Sequence, residues 1–170
     1  MAITRTPLID DDGSGTTGTI LNNAWQTGLY NAIDAALGLP ARIGYTPVWG
    51  STGGGPTLGN GIIDGWYRVF GTRCEGQFRL ILGSTSSAPA GVFTFSLPVP
   101  PSATATNMLL CGVAMLTDAS AGDFSGTARF LSATQMMVNH GDTVSTGVGN
   151  TTPFVWTTSD ALRVSFWYEI

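Results

Sequence analysis

The sequence predicts a mainly β protein: an antiparallel β-sandwich of jelly-roll type, preceded by an N-terminal arm and one amphipathic helix. Three observations carry this. From Tyr45 onward apolar and polar residues alternate with period two, the spacing of a half-buried strand. Clusters of Gly, Pro, Ser and Thr punctuate that alternation at short intervals, as turns do. Ahead of it, a single stretch carries apolar residues at helical spacing. These divide the chain into an extended arm over residues 1–18, a helix over 19–38 and a β domain over 45–170.

The arm ends in a turn-rich linker, "DDDGSGTTG". In the helix, Leu21, Trp25, Gly28, Leu29, Ala32, Ile33 and Ala36 form one stripe. Thr17 or Thr19 can cap its start, and Gly38 followed by Pro40 ends it. A single helix of this kind cannot bury its stripe alone. It must pack on the following domain, on sister helices or on another protein.

In the β domain, "YTPVW" reads as a first short strand, placed at an edge by Pro47. "STGGGPTLGNG" reads as a loop. "WYRVF" and "CEGQFRLIL" form a hairpin across "GTR", with Phe78, Leu80 and Leu82 on one face and Glu75, Gln77 and Arg79 on the other. "VFTFSLPV" places Phe93, Phe95 and Leu97 on one face. "NMLLCGVAML" is apolar on both faces and is expected to be a covered strand. "FSGTARFL" and "QMMVNH" form a further hairpin. "PFVW" and "LRVSFWYEI" complete eight or nine strands, the last with Leu162, Val164, Phe166 and Tyr168 opposing Arg163, Ser165, Trp167 and Glu169. No second helix is expected.

Composition narrows the function classes. Charged residues make up 11% of the 170 residues, and the chain holds arginines but no lysine. Such a surface suits a protein covered by its own copies or by a partner, and oligomerisation is expected. The net charge of −4 argues against nucleic acid as a partner. No apolar run is long enough to span a membrane, and the start lacks a charged-then-apolar leader. A protein made and assembled in a cytoplasm is the resulting expectation. Cys74 and Cys111 lie in expected strands and read as buried, reduced thiols.

Tests for chemistry return little. From Asp10, a calcium loop finds oxygen ligands at Asp10, Asp12 and Ser14 and its glycine at Gly15, but Leu21 stands where the bidentate glutamate is required. "GSGTTG" lacks the lysine of a phosphate-binding loop. His140 with Asp142 and a serine suggests a triad, yet no nucleophile elbow exists. Asp64, Asp118, Asp123 and Asp160 fall in expected turns or at strand ends, where Asp bonds locally. No catalytic residue, metal ligand or cofactor site is assigned. Trp49, Trp66, Trp156 and Trp167 read as core or interface residues, with sugar stacking left open for any at a loop edge.

Three stretches resemble proteins of tailed-bacteriophage virions. "TPLIDDDGSGTTGTILNNAWQTGLYNAIDAAL" resembles the N-terminal segments of short fibres and related attachment proteins. "YTPVWGSTGGGPTLGNGIIDGWYRVFGTRCEGQFRLILGSTSSAPAGVFTFSLPV" is similar to a β-module of such proteins, in which a "W…GNG…G.YR" strand pair precedes "GSTS…G…F.FSLP". "TPFVWTTSDALRVSFWYEI" fits that module's closing strands. The family's tight hairpin often carries Gly-Lys, where this chain has Gly71-Thr72-Arg73.

The resemblance implies a non-enzymatic, cofactor-free structural or binding unit on a virion surface, often a homotrimer. The opening segment then reads as an anchor, with Ile9, Asp10, Leu21, Trp25, Leu29 and Ile33 as the oligomer or anchor interface. The chain reads as complete in itself. A helix of this length spans only ~28 Å at 1.5 Å per residue, a short shaft for reaching a distant receptor. The first expectation is therefore a capsid decoration, cement or head-fibre protein partnered by a major capsid, tail or collar protein. The alternative is a short tail-fibre or receptor-binding tip, or an adaptor, that binds host surface glycans.

Overall fold

A computed structural model describes residues 28–29, 38, 40–107, 109–141 and 147–170. Residues 40–170 form one unit, and its fold is antiparallel β, the class the sequence predicts. Among the described residues, nine strands join in one sheet: β1 Ile43–Tyr45, β2 Trp49–Ser51, β3 Ile62–Phe70, β4 Arg73–Ile81, β5 Phe93–Ser96, β6 Leu110–Asp118, β7 Gly122–Phe130, β8 Gln135–His140 and β9 Ala161–Glu169. Their order is β1-β3-β4-β9-β6-β7-β8-β5-β2.

Hairpins explain much of that order. β3 and β4 pair from Ile62 with Ile81 to Phe70 with Arg73. Two residues remain for the turn, and Gly71 takes φ +60°, a backbone that glycine adopts without steric cost. β6 and β7 close on a turn in which the Asp118 carboxylate accepts from the N–H and hydroxyl of Ser120. β7 and β8 form the next expected hairpin.

The sheet curls on itself, so its two layers are halves of one continuous sheet. β1 and β2 hold its opposite edges, although only residues 46–48 separate them. The expected single strand "YTPVW" is thus two strands. Pro47 has no N–H to donate and holds Thr46 out of regular pairing, so the chain crosses there from one edge to the other. The crossing is clasped: Tyr45 donates its hydroxyl to the Ser96 carbonyl, and the Val48 N–H donates to Ser96 Oγ at 2.9 Å.

Between the facing halves lies the core. Phe93, Phe95, Phe166, Leu80, Leu116, Met136 and Leu162 are fully buried. Phe78 on β4 meets Phe95 on β5 at 4.9 Å between ring centroids, although four strands separate β4 from β5 in the sheet. The expected inward residues of β9, Leu162, Val164, Phe166 and Tyr168, are all buried.

Three further expectations are corrected. A short helix, Ala103–Asn107, follows Pro101, with Ser102 Oγ accepting from the Ala105 N–H at 3.2 Å as an N-cap. "PFVW" is no strand. Its rings pack at tilted angles, Phe154 against Trp156 at 4.8 Å and Trp156 against Phe93 of β5 at 5.5 Å, so the apolar run is explained by packing without a ladder. "NMLLCGVAML" is covered on one face only: Cys111, Ala114 and Leu116 are buried, whereas Leu110, Val113 and Met115 are exposed at 58%, 51% and 42%.

Asp160, immediately before β9, is 1% exposed. Its carboxylate accepts from the Ala119 N–H at 2.9 Å and from the Thr157 N–H and hydroxyl, tying two loops together. Buried carboxylates need such partners.

Candidate functional site

The outward side chains of β3, β4, β9 and β6 form a groove of about 500 Å³. Register builds it from two rows running across the strands. In the first, Asp64 stands opposite Arg79, Arg79 opposite Arg163, and Arg163 opposite Met115. In the second, Trp66 stands opposite Gln77, Gln77 opposite Ser165, and Ser165 opposite Val113. All eight line the groove. One side is therefore aromatic, the middle is polar and cationic, and the far side is aliphatic.

Its electrostatics are uneven. Asp64 holds Arg79 in a two-point pair, Arg79 Nε to Oδ1 at 2.7 Å and Nη2 to Oδ2 at 3.0 Å. That hydrogen bond lowers the Asp64 carboxyl below the usual carboxylate range and raises Arg79. Arg163 donates instead to the Thr117 hydroxyl at 3.1 Å, and Thr117 donates onward to Asp123 at 2.7 Å. Among the described residues, no carboxylate forms an ion pair with Arg163. At the aromatic side, Arg42 lies over the Trp66 ring at 4.1 Å from its centroid, with Arg68 at 6.0 Å. Arg68 is in turn paired with Glu75. A smaller hollow of about 280 Å³ lies elsewhere, lined by Thr72, Leu110, Phe130, Trp167 and Glu169 among others.

Of the residues singled out in the sequence as candidates for chemistry or ring stacking, Asp64 and Trp66 line this groove. Ile9, Asp10, Leu21, Trp25 and Ile33 lie outside the described residues, as do Asp12, Ser14, Gly15 and Asp142. Leu29 is helical and 41% exposed. His140 places Nδ1 3.2 Å from the Ser125 carbonyl and sets its ring edge-on to Phe124 at 5.7 Å, which is a packing role. Asp118 and Asp123 stand at strand ends and Asp160 in a turn, as expected. Asp64 does not: it lies within β3, paired across the ladder. Cys74 and Cys111 are buried free thiols, and burial pushes the Cys111 thiol up to about 12. Trp49 and Trp156 are core residues, whereas Trp66 and Trp167 sit on the outer face. Among the described residues, no three His, Cys, Asp or Glu side chains gather as a metal site.

Sequence reasoning found that Gln77, Arg79, Arg163 and Ser165 point away from the core. It missed that they converge. Alternation reports which face a residue takes, but only the pairing of β4 with β9, distant in the chain, places the two arginines side by side.

No family model matches the chain. Over 127 residues it is 30% identical to the Mu-like prophage FluMu defective tail fiber protein of Haemophilus influenzae, a match covering 75% of this chain and 20% of that protein. The chain thus spans about a fifth of this curated relative's length. Among solved structures, the C-terminal receptor-binding domain of avian reovirus fibre sigmaC aligns with all of this chain and 99% of its own, at a TM-score of 0.45 and 12% identity. The resemblance to tailed-phage virion surface proteins carried by the sequence motifs is borne out by the curated relative: the chain is similar to part of a phage tail fiber protein.

Proposed function

We propose that this chain is a non-enzymatic, fibre-type structural module of a phage virion whose β domain binds host-surface glycans. The observation that carries the proposal is the 30% identity with a tail fiber protein across three quarters of the chain. It favours the fibre reading over capsid decoration or cement. The exposed groove, mixed in character and assembled from four strands, supports a binding role for the outer sheet face.

In this reading the N-terminal arm anchors the module to another virion protein, and three copies assemble. The low share of charged residues and the apolar stripe of residues 19–38 support self-association. Light scattering should report three copies at micromolar concentration; a stable monomer would remove the solution trimer. Placement is tested by imaging particles labelled with an antibody against the chain, alongside competition of purified chain with particle adsorption. Label at tail fibres and blocked adsorption are expected. Label spread over the capsid would return the protein to decoration.

A further inference from the structure

From the groove chemistry we infer the class of ligand: a carboxylated saccharide, its acid group seated between Arg79 and Arg163. This rests on the glycan-binding reading above and specifies its site.

The argument begins with a cost. Arg79 and Arg163 stand directly opposite each other on β4 and β9. Like charges opposed across a ladder destabilise a sheet. Asp64 offsets one of them with both of its oxygens. Among the described residues Arg163 has only the Thr117 hydroxyl, and these residues leave the groove an excess of positive charge within a chain of net charge −4. Nothing in the core requires arginine at position 163, because its side chain points away from it. An incoming carboxylate would relieve the repulsion, and the planar guanidinium fork suits two-point recognition of such a group.

The rest of the groove argues for a sugar. Gln77 and Ser165 form the row beside the arginines and offer both donors and acceptors to ring hydroxyls. Val113 and Met115 present exposed apolar surface at the far side, suited to the C–H face of a pyranose. At the near side the Trp66 ring already carries Arg42 on one face, so it acts as a wall with added positive charge. The volume, about 500 Å³, lies within the range of small-ligand sites.

The full-length chain, isotope-labelled, is titrated with digalacturonate and separately with its methyl ester, with the Trp66 indole N–H and Gln77 amide signals followed by NMR. The acid should bind about tenfold or more tightly than the ester, the scale of one charge-assisted pair. Rising salt should weaken it. Arg163→Gln, on the surface and without core contacts, should remove that preference while leaving the rest of the spectrum in place; Gln77→Ala provides a second probe. Equal binding of acid and ester, unmoved groove signals, or an unaltered Arg163→Gln variant would each overturn the inference. So would conversion of an oligomer to monomer by Val113→Asp with Met115→Asp, which would assign the face to a second copy of the chain. If the chain blocks adsorption yet ignores digalacturonate, the ligand class falls and the receptor reading stands. If it binds digalacturonate but neither labels fibres nor blocks adsorption, the site stands and the receptor reading falls.

Discussion

Phe166 lies in register with Gly76 on β4 and with Gly112 on β6. Gly76 leaves space for the ring, since a Cβ there would stand 2.6 Å from Phe166 Cζ, and Gly112 lets the β9 backbone approach, since a Cβ there would run into the Ser165 carbonyl oxygen and stand 2.8 Å from Phe166 Cα. Two substitutions should therefore destabilise in opposite ways. Phe166→Ala empties a fully buried ring site and should cost about 3–5 kcal/mol. Gly112→Val drives a side chain into the β9 backbone at Ser165 and Phe166 and should cost about 1–3 kcal/mol or more. Urea denaturation of each variant measures both. The buried acids make a further prediction at this scale. Burial raises the Cys111 thiol from 9.0 to about 12 and the Tyr45 hydroxyl from 10.0 to about 12. The unfolded chain releases these protons first, so it binds fewer protons than the folded one between those values. The contribution is fully present below about pH 9 and should be lost as pH rises toward 12. Denaturation midpoints should fall over that window. Near neutral pH both thiols should resist a thiol reagent until the chain unfolds.

Among the elements, the β3–β4 hairpin follows closely from local sequence. Its alternation sets the faces and Gly71 sets the turn, φ +60° with open space where a Cβ would stand. Gly71→Ala should thus cost about 1 kcal/mol through backbone strain alone, with Gly71→Asn milder, as thermal melts of the two variants would show. β6 shows where local sequence misleads. An apolar run on both faces reads as a covered strand, yet Val113 and Met115 are exposed on a face that no described element covers. Hydrophobicity signalled an attractive surface without saying whether the chain covers it or leaves it for a ligand. The short helix Ala103–Asn107 was not legible in the sequence, because five residues carry too little period to register.

At the scale of the molecule, the unit formed by residues 40–170 carries its own core and curls its sheet around it. Folding of the β domain should therefore not depend on the arm. Deleting residues 1–18 should leave the circular dichroism spectrum β-rich and the melting temperature close to that of the full chain, while incorporation into particles is lost. Unfolding of the shortened chain would place the arm in the core, and undiminished incorporation would move the anchor into the β domain.

By itself the sequence determined the β class, the β3–β4 and β7–β8 hairpins, the inward faces of β4, β5 and β9, and the burial of both cysteines. Each depends on period-two alternation or on turn residues, interactions among neighbours along the chain. It also carried the kinship with phage virion proteins, through motif order. Tertiary structure alone decided that residues 45–49 divide between opposite sheet edges, that β9 inserts between β4 and β6, and that Arg79, Arg163, Gln77 and Ser165 share one groove. The reason is that pairing between distant strands is chosen collectively. A register is stable only when the whole inward face is buried at once, and the outward residues, which contribute little to that choice, are placed by it.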